Sequence, residues 1–125
     1  MSFGSLIIFD LKNCLNISNL SDKIVLQYFI NNLVIDIMNM KKIGETQFEY
    51  FEANDFNIKN GLVGYSITQI ISMSSITIHI CEGKNNVYID CFTCCKINDD
   101  IMNKIKELIF FVFNPSSYTN NIIAR

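Results

Sequence analysis

The spacing of apolar residues predicts an α+β fold, a two-layer sandwich of one antiparallel β-sheet with two helices on one face. Six short runs have strand composition or period-two alternation, and four of them follow one another like hairpins. Two longer stretches repeat apolar residues at helical spacing, and half of the 125 residues are apolar, enough for a packed core. An antiparallel sheet with both helices on one side buries all these stripes at once.

The first strand is "SLIIFDL", residues 5 to 11. A helix follows from Ser21 or Asp22, either of which can cap it, with Leu26, Phe29, Ile30, Leu33, Ile37 and Met40 on one side until Gly44. "TQFEYFEA" (46 to 53) is the next strand, and "NDFNIKNG" (54 to 61) has the composition of a turn. Two β-rich runs, 62 to 72 and 75 to 81, meet at a tight junction at Met73-Ser74. After the turn "EGKNN" (82 to 86), "VYIDCFTC" (87 to 94) alternates as a half-buried strand.

The second helix begins near Asp99 or Asp100, carries Ile101, Ile105, Leu108, Ile109 and Val112 on one side, and has to stop before Pro115. A last strand is predicted over 117 to 124. The order is βα-ββββ-αβ, without a repeat or a linker that would divide it, so one domain spanning 1 to 125 is expected. In the run 65 to 72, Tyr65, Ile67, Gln69 and Ile71 alternate with Ser66, Thr68, Ile70 and Ser72, which puts apolar residues on both faces. A second copy of the chain, packed sheet to sheet, would cover the face that the helices leave open.

A formal net charge of -2 and scattered Lys and Arg argue against a nucleic-acid partner, which calls for a basic patch. The apolar run at the N-terminus, Leu6 to Phe9, is too short for a secretion signal or a membrane span, so a cytoplasmic location is expected. Five cysteines (Cys14, Cys81, Cys91, Cys94, Cys95) are an odd set, which fits free thiols better than a disulfide framework. Cys91-x-x-Cys94 has no second pair and only one histidine to complete it, so no metal site is expected.

The stretch "SMSSITIH", residues 72 to 79, carries four hydroxyl side chains and ends on the only histidine of the chain. A lone histidine on a strand is ordinarily a hydrogen-bonded bystander, and neither a nucleophile elbow nor a phosphate-binding loop accompanies it. Composition alone therefore assigns it no role.

Three blocks do. Gly4-Ser5-Leu6-Ile7-Ile8-Phe9-Asp10-Leu11-Lys12-Asn13-Cys14, the run from Gly64 to His79, and Asp90-Cys91-Phe92-Thr93-Cys94 fall in the order and register of one family. The chain resembles the small, prokaryotic-type S-adenosylmethionine decarboxylases, which make their own pyruvoyl group. The resemblance implies that Ser74 attacks the Met73 carbonyl, that the chain breaks into a β chain of 1 to 73 and an α chain of 74 to 125, and that Ser74 is left as the covalent pyruvoyl cofactor. Ser66 matches the serine that assists this rearrangement, and His79 the histidine that promotes it. The pyruvoyl ketone would form a Schiff base with the amine of S-adenosylmethionine and drive loss of CO₂. Cys94 matches the cysteine that returns a proton to the product carbon. The product would supply aminopropyl groups for spermidine synthesis, and the family pairs into homodimers.

The chain departs from the family pattern at four places. Met73 replaces a glutamate, Ser75 replaces a histidine, and Ile80-Cys81-Glu82-Gly83 replaces a T-W-P-E segment, leaving Glu82 as the candidate ribose-binding carboxylate. The longer approach "NDFNIKNGLVG" offers Phe56 as the aromatic that would stack on adenine. All four departures leave Ser66, Ser74, His79 and Cys94 in place. The alternatives are a pyruvoyl decarboxylase of another amino acid, such as ornithine or arginine, or an unprocessed regulatory partner of an active decarboxylase.

Overall fold

A computed structural model describes residues 3–125. Six strands, β1 (Ser5–Cys14), β2 (Lys42–Phe51), β3 (Gly64–Ile71), β4 (Ser74–Cys81), β5 (Asn86–Thr93) and β6 (Pro115–Ala124), form one sheet. Their order across it is β2-β3-β4-β5-β1-β6, and every neighbouring pair is antiparallel. The helices are α1 (Lys23–Asn31), the short α2 (Asp55–Lys59) and α3 (Asp99–Val112).

Alternate residues of the strands point to the helix side. Ile7, Phe9 and Leu11 of β1, Ile67 and Ile71 of β3, Ile76, Ile78 and Ile80 of β4, and Val87, Ile89 and Cys91 of β5 are all buried. They meet Leu26, Phe29 and Ile30 of α1 and Met102, Ile105, Ile109 and Val112 of α3 in one continuous core. Each such Leu, Ile or Phe contributes about 1.5 to 3 kcal/mol on leaving water, so the expected layer arrangement follows from period two meeting period 3.6. Phe29 and Phe113 tie the two helices together edge to face, with ring centroids 5.0 Å apart.

Asp22, not Ser21, caps α1, accepting from the Ile24 and Val25 backbone N–H groups. The helix ends sooner than its apolar stripe predicts. After Asn31 it widens into a turn over Asn32–Ile37, where the Met38 N–H bonds back to the Leu33 carbonyl. Asn39 then takes a left-handed backbone (φ 53°), and β2 begins at Lys42, four residues before the predicted strand. Met40 still packs partly against the core, which is why its place in the apolar repeat looks helical.

Three smaller features have local causes. α3 begins at Asp99 as expected, capped by Asn98, and Asp99 and Asp100 lie in its first turn, where the helix dipole favours carboxylates. The segment 54 to 61, expected as a turn, holds α2 because Asn54 accepts from the Asn57 N–H. Pro115 opens β6 at an edge of the sheet, where its missing N–H breaks no ladder.

The face away from the helices is more polar in its central strands than the alternation suggested. β3 sends Ser66, Thr68 and Ile70 there, β4 sends Ser75, Thr77 and His79, and β5 sends Tyr88, Asp90 and Phe92. Directly facing residues make one row across all six strands: Glu49, Ser66, His79, Tyr88, Asp10 and Thr119. Among the described residues no helix is long and apolar enough to cross a membrane.

Candidate active site

Ile71 pairs with Ser74, so the β3–β4 hairpin turns on two residues, Ser72 and Met73. Met73 is 65 % exposed and lies in the left-handed region at φ 54°. Five residues other than glycine do so among the described residues, and the other four are asparagines, which tolerate that region. Methionine gains nothing there, and the conformation costs about 1 kcal/mol. The strain sits on the bond that the sequence singles out.

Ser74 opens β4 with its side chain on the helix side, where it is only 7 % exposed. Its Oγ donates to Cys94 Sγ at 3.7 Å and accepts from the Cys94 backbone N–H at 3.1 Å. Cys94 lies just past the end of β5, and its exposed thiol also reaches the Ser72 carbonyl at 3.9 Å. Two things hold it there. The Thr93 hydroxyl accepts from the Cys95 N–H at 2.9 Å, and Gly4 runs so close to β5 that a Cβ on it would collide with the Thr93 carbonyl.

Ser66 and His79 face each other across β3 and β4 on the open side of the sheet, joined by a 2.9 Å hydrogen bond between Oγ and Nδ1. His79 follows Ser74 by five residues on one strand. That odd offset puts the imidazole on the opposite face, about 16 Å along the strand at ~3.3 Å per residue. Within one chain, then, the four residues form two pairs: Ser74 with Cys94, and Ser66 with His79.

The second pair lies in a cleft of about 430 Å³ lined by Phe51, Gly61, Leu62, Ser66, His79, Ile80, Cys81 and Tyr88. Gly64 pairs with Phe51 and has φ 133°, and a Cβ on it would collide with the Ile80 carbonyl. Its bare backbone lets β3 and β4 close up beneath the cleft. Tyr88 faces His79 from β5. Its hydroxyl accepts from Lys12 Nζ at 3.0 Å and from Asn86 Nδ2 at 3.2 Å. The Lys12 hydrogen bond, with help from Asn86, holds the Tyr88 phenol below its ordinary pKa, and the same bond raises that of Lys12.

The two substrate residues expected from the sequence lie elsewhere. Phe56 is 68 % exposed on α2 and does not line the His79 cleft. Glu82 lines a neighbouring cleft of about 300 Å³ with Ala53, Ile58, Gly61, Val63 and Gly83. Its Oε2 is buried without a hydrogen-bond partner among the described residues, and the carboxylate beside Tyr50 pushes that phenol up to about 12. Among the described residues no group of three or more His, Cys, Asp and Glu is placed to hold a metal ion.

Phe51 and Tyr88 are residues of this cleft that the motifs did not point to. Strand parity would have found Tyr88, since it stands nine residues after His79 across a short hairpin and faces the same way. Phe51 became legible only with the β2–β3 register.

Comparisons with known proteins bear on the fold and the family. No curated protein matches the chain. Among solved structures, the adenosylmethionine decarboxylase from Aquifex aeolicus is similar with a TM-score of 0.74, over 99 % of this chain and 91 % of that one, at 15 % identity. Identity so low speaks to the fold alone. The sequence pattern described as S-adenosylmethionine decarboxylase matches residues 5–125, and so nearly the whole chain belongs to the S-adenosylmethionine decarboxylase family.

Proposed function

We propose that this chain is a self-processing decarboxylase of S-adenosylmethionine, in which Ser74 becomes a pyruvoyl group. The observation that carries the reading is the junction at Met73-Ser74. A bulky residue is held left-handed immediately before a buried serine whose oxygen is fixed by the Cys94 N–H. Such a junction favours exchange of the strained peptide bond for an ester, because the reaction releases the backbone from its conformation.

The residues present suit the cofactor. Ser74 and Cys94 would hold it at the end of β4, and the pyruvoyl ketone supplies an acceptor for the electrons released as CO₂ leaves. Cys94 Sγ, already within reach of residue 74, would deliver the proton to the product carbon. His79 and Ser66 would promote processing. Since they lie on the open face, we place them against the Met73-Ser74 backbone of a partner subunit in a homodimer packed sheet to sheet. The cleft of about 430 Å³ is of a size to take a nucleoside-like ligand. The product would serve as an aminopropyl donor for spermidine synthesis.

One observation favours a second reading of the substrate. Neither Phe56 nor Glu82 lines the His79 cleft, so a pyruvoyl decarboxylase acting on a smaller amino acid, such as ornithine or arginine, fits the chemical residues equally well.

Intact mass under denaturing, reducing conditions tests the processing, with Ser74→Ala as control. Two fragments split at Met73-Ser74, the C-terminal one lighter by ammonia than a serine-started chain, are the expected result. A single uncleaved chain after long incubation would overturn it. Release of CO₂ from S-adenosylmethionine, ornithine and arginine, compared side by side, then decides the substrate.

A further inference from the structure

We propose a second task for Cys94, performed before any substrate arrives: its sulfur is the base that takes the Ser74 hydroxyl proton and starts the break at Met73-Ser74. The proposal rests on the self-processing reading above. In the intact chain Ser74 Oγ is shielded from solvent, and both of its hydrogen bonds run to Cys94, one to the sulfur and one from the backbone N–H. The only imidazole of the same chain is on the other face of the sheet. Among the described residues, Cys94 thus carries the one titratable side chain hydrogen-bonded to the attacking oxygen.

The steps balance without a co-reactant. The Cys94 thiolate accepts the Ser74 hydroxyl proton, so an S–H bond forms as the O–H bond breaks. Ser74 Oγ bonds to the Met73 carbonyl carbon, whose oxygen takes the negative charge. As that centre collapses, the bond from the carbonyl carbon to the Ser74 nitrogen breaks, and the thiol returns its proton to the nitrogen. An amide has become an ester and an amine, and the thiolate is restored.

The backbone makes this cycle workable. The Cys94 N–H orients the serine oxygen throughout, while the Ser72 carbonyl, 3.9 Å from Sγ, accepts from the thiol during the steps in which the sulfur holds the serine proton. Cys95 is the titratable neighbour that senses this charge, since Cys94 helps to raise its pKa after burial has done so. Its own sulfur is turned away toward the Met38 and Lys96 carbonyls, so it cannot replace Cys94.

The experiment follows scission of freshly synthesised chain by intact mass over time, for the wild type, Cys94→Ala, Cys94→Ser and Cys95→Ala, with far-ultraviolet circular dichroism to confirm folding. Cys94→Ser keeps a polar side chain of similar shape and the backbone N–H while replacing the thiol by a far weaker acid, so it answers the question should the alanine variant misfold. Scission slowed roughly 100-fold or more in the Cys94 variants, with Cys95→Ala near wild type, is expected for loss of a general base. Wild-type scission rates in a folded Cys94→Ser chain would overturn the proposal while leaving self-processing intact. A wild-type chain that never cleaves would overturn both.

Discussion

His79 and Ser74 belong to one strand, yet the five-residue offset between them turns their side chains to opposite faces of the sheet. On the reading proposed above, an imidazole so placed serves the Met73-Ser74 backbone of the partner chain. Co-expression of Ser74→Ala with His79→Ala should therefore restore cleavage of the His79→Ala chain, whose serine is intact, by lending it the partner's imidazole. With random pairing, about half of those chains would be cut. Intact mass reads the outcome, and no cut chain in the mixture would place the action of His79 within its own subunit.

The left-handed backbone at Met73 makes a prediction about strain. Met73→Asn gives that position the residue found at the other four such sites. In a Ser74→Ala background, where no cleavage interferes, it should raise unfolding stability by roughly 0.5 to 1 kcal/mol in urea denaturation. In the chain with Ser74 intact, the relieved ground state should cleave several-fold more slowly. Faster cleavage would show that strain at Met73 does not drive the break.

Two tyrosines should titrate far apart. Lys12 holds Tyr88 below its ordinary pKa, whereas Glu82 pushes Tyr50 up to about 12. Tyrosinate absorbance should show Tyr88 ionising first and Tyr50 last, Lys12→Met moving the first step up and Glu82→Gln moving the last step down. For Tyr50 the folded state retains its proton longer than the unfolded chain does. Its contribution to stability is therefore complete below about pH 10 and disappears as the pH rises through about 12.

The five thiols should fall into reactivity classes. Cys94 is exposed, while burial pushes Cys14 up to about 11 and Cys91 up to about 12. Iodoacetamide at mildly alkaline pH should modify Cys94 well before Cys14 or Cys91, which should react only when the fold opens. Peptide mapping after timed quenching measures the order, and early labelling of Cys91 would mean that the core opens locally around β5.

Much of the fold was legible because period-two and helical stripes are local. The strands around Ile7, Ile67, Ile78 and Ile89 and the helix around Ile105 needed no tertiary information. The end of α1 was not legible, since Met40 keeps its core position after the chain has left the helix. The helix over Asp55–Lys59 escaped notice because five residues, several of them turn formers, give no apolar period. Motif spacing named Ser66, Ser74, His79 and Cys94, but spacing along a chain does not say which face a residue takes until strand parity is applied. Tyr88 and Phe51 bear no motif, and only the register of neighbouring strands brings them to the cleft.

Strand order also decides what the molecule would be after the break. Cutting at Met73-Ser74 leaves β1, β2 and β3 on one piece and β4, β5 and β6 on the other, but the sheet interleaves them as β2-β3-β4-β5-β1-β6. β1 is then clasped on both sides, by β5 and β6, so that the pieces interlock like the fingers of two hands. To part them, β1 would have to be drawn out from between β5 and β6, breaking the ladders on both of its sides. The cut chain would keep its shape through topology where it no longer has a covalent bond, and the two pieces would travel as one body through any purification that spares the fold.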